Sequence, residues 1–155
     1  MNNPERKILI VGVGNPLLAD DGVGVYVIDE LKKMPVPENV KLADCGTDVL
    51  KLLSFLEDED IIVIVDAVDG KRDAGTIFHF NKEETLKFPG ESKSAHLISV
   101  IDSLRLLEKV NPLFQKARLD FFGIQPLKVE MENQLSEPVK TSADKVISEI
   151  KDKYF

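Results

Sequence analysis

The residues able to do chemistry are few, and most are carboxylates. Asp20 and Asp21 follow a glycine turn in "ILIVGVGNPLLADDGVGVYVIDEL", the segment from Ile8 to Leu31. Asp66 and Asp69 follow the most apolar run, in "IIVIVDAVDG". Asp44 and Cys45 stand together in "LADCG", and the only imidazoles are His79 and His96. Two carboxylates and one imidazole form an oxygen–oxygen–nitrogen donor set, which holds a divalent ion such as nickel or zinc and leaves coordination positions open. Cys45 offers another chemistry, a thiol nucleophile with His96 as its base. A packing role competes with it, because small buried cysteines are common.

The glycine turn invites a nucleotide reading, and its neighbours argue against one. The dinucleotide fingerprint needs a third glycine for close helix packing; Gly12 and Gly14 fit, but the third place is Leu17. Asp44 alone could serve as the ribose-binding acid. No Gly-Lys-Ser/Thr sequence marks a Walker loop, and two aspartates beside the turn would repel a phosphate. Each acid also has a plain structural reading. Asp20 and Asp21 suit a first helical turn, where acids cap exposed N–H groups and oppose the helix dipole. Asp66 could be satisfied by nearby loop N–H groups, since a buried carboxylate needs a partner. His79 alternates with Phe78 and Phe80 and reads as a structural residue facing solvent or a covering helix.

The elements that position these residues alternate in type. Lys7–Val13 is a run rich in β-branched residues, expected of a strand buried on both faces. A helix follows over Gly22–Met34, with Val23, Val27, Ile28, Leu31 and Met34 on one stripe. Val40–Ala43 predicts a second strand, and "TDVLKLLSFLEDED" a short amphipathic helix capped by Thr47. Ile61–Val65 is the expected central strand, and "GTIFHFN" a fourth. The stretch from Glu91 to Ser94 leads into a helix carrying Leu97, Ile101, Leu104 and Leu107. "ARLDFFGIQP" reads as a fifth strand. A last helix carries Val139, Ala143, Val146, Ile147, Ile150 and Tyr154, with Pro138 in its first turn. The expectation is one domain over residues 1–155: a three-layer α/β/α sandwich on a mostly parallel, about five-stranded sheet. Ligands of such sheets sit beyond the carboxyl ends of the strands, where Asp21, Asp44 and Asp66 fall. His96 opens a helix and could start at either rim.

Composition removes several classes. The 155 residues include 20 basic and 27 acidic side chains, a net charge of -7, whereas nucleic-acid-binding modules carry a basic face. No apolar run approaches the ~20 residues of a membrane span. The first apolar run stops at Gly12, too short for a signal peptide, and the single Cys45 suits a reducing cytoplasm.

Four blocks in order, "VGVGNPLLADDGVG", "IVDAVDG", "SAHLISV" and "GIQP", resemble the hydrogenase maturation endopeptidases across nearly the whole chain. The resemblance implies a phosphorylase/hydrolase-like fold. It also implies an endopeptidase that removes the C-terminal extension of the nickel–iron hydrogenase large-subunit precursor once nickel is inserted. It makes Asp21, Asp66 and His96 both the metal-contacting and the catalytic set, and leaves Asp20 as a helix cap. Family members often show glycine where Cys45 stands, which weakens the thiol reading. The nickel is expected to come with the precursor rather than as a tightly bound cofactor. A cytoplasmic monomer that engages neither nucleic acid nor membrane is the accompanying expectation. A non-catalytic nickel-sensing assembly factor, or a small-molecule hydrolase on the same scaffold, are the alternatives.

Overall fold

The structure is a computed structural model that describes residues 6–88 and 95–155, with the backbone alone for residues 95–99. Its centre is a five-stranded sheet of order β2-β1-β3-β5-β4. The strands are β1 (Ile8–Gly12), β2 (Val40–Asp44), β3 (Ile61–Ala67), β4 (Ile77–Asn81) and β5 (Arg118–Ile124). All neighbours pair in parallel except β4, which runs antiparallel along β5 at one edge. β1 and β3 are buried at every residue, which explains their continuous apolar sequences. Nothing on either face is left for water.

Among the described residues five α-helices cover the sheet: α1 (Val23–Lys32), α2 (Lys82–Leu86), α3 (Ala95–Val110), α4 (Pro112–Lys116) and α5 (Glu137–Tyr154). The alternation of side chains along each strand splits the core into two layers. Leu9, Val11, Ile62 and Ile64 meet Leu104, Leu107 and Phe114 on one face. Ile8, Ile10, Val63 and Val65 meet Val27, Ile28 and Leu31 of α1 and Val146 and Ile150 of α5 on the other. The expected three-layer sandwich is therefore present.

Several boundaries differ from those read in the sequence, each for a local reason. β3 continues past Val65 because Asp66 and Ala67 pair with Gly123 and Ile124 of β5. Asp66 is thus part of the central strand rather than of the loop after it. The segment after β2 is a 3-10 helix, Val49–Ser54, and its cap is Asp48 rather than Thr47. The Asp48 carboxylate accepts the Leu50 N–H at 3.0 Å. The helix at residue 22 is preceded by a 3-10 turn, Ala19–Gly22, before α1 begins. Two short helices were not read from the sequence. α2 has a complete capping box between Asn81 and Glu84, and α4 is capped by Asn111. Five residues are too few for a hydrophobic stripe to declare itself.

The glycines of the turn hold protein rather than ligand. A Cβ on Gly24 would lie 2.3 Å from the carbonyl oxygen of Val65 in β3, and one on Gly14 would lie 1.9 Å from the carbonyl oxygen of Asp21. Gly14 also has φ +142°, a conformation that a side chain disfavours. Their absence of side chains lets α1 and the turn before it rest directly on the carboxyl ends of β1 and β3.

Asp20 is not a helix cap. It is fully buried, and its carboxylate accepts four hydrogen bonds from the segment after β5. The donors are Leu127 N–H at 2.9 Å, Lys128 N–H at 3.1 Å, Ser136 N–H at 2.7 Å and Ser136 Oγ–H at 2.8 Å. Replacing Asp20 by Ala strands those part-buried donors. The expected loss is about 3 kcal/mol, since each unmet buried group costs roughly 1–3 kcal/mol. For a chain of this size each kcal/mol moves Tm by about 2–4 °C. Calorimetry of Asp20→Ala checks it: a melting temperature within a degree of wild type rules out the clamp.

Candidate active site

Two of the three expected site residues meet at the carboxyl ends of β1 and β3. Asp66 is the penultimate residue of β3, completely buried, and its Oδ1 accepts the N–H of Ala67 at 2.8 Å. Asp21 belongs to the 3-10 turn before α1 and is 7% exposed. Its Oδ2 accepts the N–H of Asn15 at 3.0 Å, so the loop that leaves β1 orients it. Burial, and then the nearby charge of Asp21, hold the Asp66 carboxyl well above the usual carboxylate range. His96 falls in the first turn of α3, and its side chain lies outside the described residues. Among the described residues no group of three His, Cys, Asp or Glu side chains is arranged to hold a metal ion.

The turn that presents Asp21 is under backbone tension. Ala19 has φ +50°, a left-handed conformation that costs a residue with a Cβ about 1 kcal/mol or more. It is held there from both sides. The Ala19 N–H donates to the Glu132 carbonyl at 2.6 Å, and the Asp20 N–H donates to the Lys128 carbonyl at 3.2 Å. Such locally strained backbone is common where side-chain placement matters more than stability.

The other polar candidates are spent on structure. Asp44 accepts the Gly46 N–H at 2.8 Å and closes the turn after β2. Asp69 accepts the Lys71 N–H at 3.1 Å and a hydrogen bond from the Gln125 amide at 3.2 Å. The same Gln125 accepts the N–H groups of Gly70 and Arg72 through Oε1. It fastens the loop after β3 to the end of β5, a role of "GIQP" that no single-sequence signal announces. His79 stacks on Phe122 with ring centroids 4.3 Å apart and lies 2.9 Å from Asp120, to which Lys153 and the Tyr154 hydroxyl also donate. The covering element is α5, so His79 joins β4, β5 and α5 away from the Asp21–Asp66 pair.

Cys45 is fully buried among Val11, Val49 and Leu52. Burial pushes its thiol up to about 11, the wrong direction for a nucleophile, which acts as the thiolate.

Comparisons with known proteins agree with this frame. The model of the hydrogenase maturation protease family matches residues 25–153. The chain belongs to the hydrogenase maturation protease family. A Methanocaldococcus jannaschii relative bearing the family's name is 34% identical over 145 residues, 92% of this chain and 93% of its own. The nickel–iron hydrogenase maturation protease HybD of Thermococcus kodakarensis superposes with a TM-score of 0.78 at 30% identity, covering 94% of this chain and 97% of that one. The hydrogenase maturating endopeptidase HybD of Escherichia coli gives a TM-score of 0.77 at 26% identity, covering 94% and 93%. Membership makes the chain an endopeptidase, and the reading as a small-molecule hydrolase falls.

Two predictions test this geometry. The folded-state carboxyl of Asp66 titrates above its unfolded value of about 3.9. Ionising it therefore costs the native state, and its contribution to stability declines as pH rises from that value through the folded one. Asp66→Asn removes the cost. Its denaturation midpoint should match wild type near pH 4 and exceed it increasingly toward pH 8; a constant difference across that range contradicts the assignment. Cys45→Ala should lower stability by about 1–2 kcal/mol, the scale of a small core truncation. It should leave peptide-bond cleavage near the wild-type rate, and thiol alkylators should inhibit the folded wild type little. Loss of cleavage in a folded Cys45→Ala protein returns the thiol to the mechanism.

Proposed function

We propose that Asp21 and Asp66, joined by His96, grip the nickel carried by a hydrogenase large-subunit precursor while the bond that frees its C-terminal extension is cut beside it. The observation that carries this reading is the Asp21–Asp66 pair. Burial and the neighbouring charge of Asp21 raise the cost of ionising Asp66, and a cation between the two carboxylates reverses that cost. Nickel is here part of the substrate. Three donors leave coordination positions for the precursor's own ligands and for water.

The chemistry follows from the same electrostatics. An arriving cation draws the Asp66 carboxyl into the ionised form beside Asp21. The ion polarises the scissile carbonyl or a water, and an ionised carboxylate beside the bond takes the proton of the attacking water. The hydroxyl adds to the carbonyl carbon, and the proton passes to the departing amine. Before the cation arrives, Asp66 favours its protonated form and is a poor base. This dependence ties cutting to nickel insertion, which supports a protease over an assembly factor that binds and does not cut. The net charge of -7 and the single buried Cys45 support work in the cytoplasm away from nucleic acid, and the proposal takes the chain as a monomer. No helix among the described residues is long and apolar enough to cross a membrane.

The test is incubation with nickel-loaded and nickel-free precursor, read by mass spectrometry. Only the loaded precursor should lose its extension. Asp21→Asn and Asp66→Asn should each slow cleavage by about 100-fold or more, the usual weight of a positioned acid–base group, and His96→Ala should impair it as well. A chelator should leave the melting temperature of the isolated protein unchanged. Binding of loaded precursor without a mass change supports the assembly factor instead. Wild-type cleavage by Asp66→Asn, or unfolding by the chelator, overturns the proposed site.

A further inference from the structure

The segment that Asp20 clamps has an unusual face. "LKVEME", Leu127 to Glu132, alternates apolar and charged residues as a half-buried strand does. In such a strand the apolar set faces the core. Here it faces solvent: Leu127 is 61% exposed, Val129 55% and Met131 87%. The inward attachment is made by backbone groups instead, through Asp20 and through the Glu132 N–H, which donates to the Leu17 carbonyl at 3.0 Å. Leu17, itself 62% exposed, extends the apolar row.

The charged residues of the segment are occupied with each other. Lys128 pairs with Glu132 and lies 3.8 Å from Glu130. The outward feature is therefore four large apolar side chains, and apolar rows of this kind mark interaction sites on soluble proteins. The row is tied to the candidate active site by one residue. Asn15 donates its N–H to the Asp21 carboxylate and accepts the Leu17 N–H with its side-chain oxygen at 3.0 Å. Past Leu17 the surface continues into a groove of about 330 Å3 whose lining includes Pro16 and Leu135.

We infer that Leu17, Leu127, Val129 and Met131 form the docking rim for an apolar stretch of the precursor polypeptide next to the bond being cut. This rests on the function proposed above and adds the surface that recognises the substrate. Continuity selects the occupant. A peptide bond brought to Asp21 leaves its flanking chain beside the turn that Asp20 fastens to this rim. The apolar face calls for apolar side chains in that flanking chain, while Lys128 set against Glu130 and Glu132 leaves the segment only a single net negative charge. The Asp20 clamp relies on the N–H groups of residues 127 and 128, so side-chain changes at the rim leave it intact.

The experiment is steady-state cleavage of nickel-loaded precursor at varied concentration by the full chain carrying Leu127→Ser and Met131→Ser together. Sedimentation and thermal melts of the same proteins accompany it. KM should rise about tenfold or more, the loss expected when two apolar contacts are removed. The turnover number should stay within about twofold, because the Asp21–Asp66 pair is untouched, and the melting temperature should hold. The single Val129→Ser protein should show a smaller rise in KM. If wild type does not cleave the loaded precursor, the proposed function fails. If wild type cleaves and the folded double variant has an unchanged KM, or loses turnover instead, the docking rim is wrong. A wild-type dimer that the double variant breaks shows that a second copy covers the row, and also overturns the inference.

Discussion

A carboxylate taken out of water must be met by donors or by positive charge, and the Asp20 side chain meets this demand with four hydrogen bonds from one segment. That arrangement fixes more than Asp20. It ties the 3-10 turn before α1 to the chain that links β5 to α5. Beside it, the backbone N–H groups of Ala19 and Asp20 donate to Glu132 and Lys128 and hold Ala19 in a left-handed conformation that its side chain resists. With the turn pinned on that side and pressed onto β1 and β3 through Gly14 and Gly24, the next residue has one position available. Asp21 is set against Asp66 because Asp20 is spent on the scaffold.

Adjacent aspartates thus have different work. The first is surrounded by donors and stabilises the fold. The second shares a poorly solvated end of the sheet with another carboxylate, and that sharing raises the cost of charge on Asp66. A site of this kind is less stable than a packed apolar alternative, and the rest of the molecule supplies much of what holds it together. The two apolar layers on either side of β1 and β3 supply that rigidity. The His79–Asp120–Tyr154 network binds the edge strand to α5 at a distance from the site.

Much of the architecture was legible in the sequence because burial on both faces leaves an unmistakable run, as in "IIVIVDA". The stripes of α1 and α5 were equally plain. What was hidden follows from interactions between distant residues. Asp66 reads as the residue at which the strand ends until it and Ala67 are seen to pair with Gly123 and Ile124 of β5. Thr47 and Asp48 are both good caps, and only the local backbone selects Asp48. Asp20 looks like a helix cap because its donors, at residues 127, 128 and 136, lie more than 100 positions away. For the same reason Gln125 gives no sign of its hold on the loop after β3. Of the candidate site, the donor chemistry of Asp21, Asp66 and His96 could be read from residue type, with strand-end position for the two aspartates, and the choice of these three as one set only from the family resemblance. The meeting of the two carboxylates needed the fold.

The same division explains how a protease can wait for its substrate. In the proposed reading, Asp66 resists ionisation when no cation is near, and the barrier to acting as a base is set by burial, the property that also makes the strand end rigid. Docking on an apolar rim brings the precursor close without asking anything of the carboxylates. Recognition of the chain and recognition of its nickel are then separate events, one driven by apolar contact and the other by charge. A precursor lacking nickel can dock on the rim, but it forgoes the site's grip on the ion and leaves Asp66 protonated, so discrimination falls on the nickel-bound complex in which the bond is cut. Selectivity of that form follows from differential stabilisation in the reacting complex, and it requires no moving part in the protein.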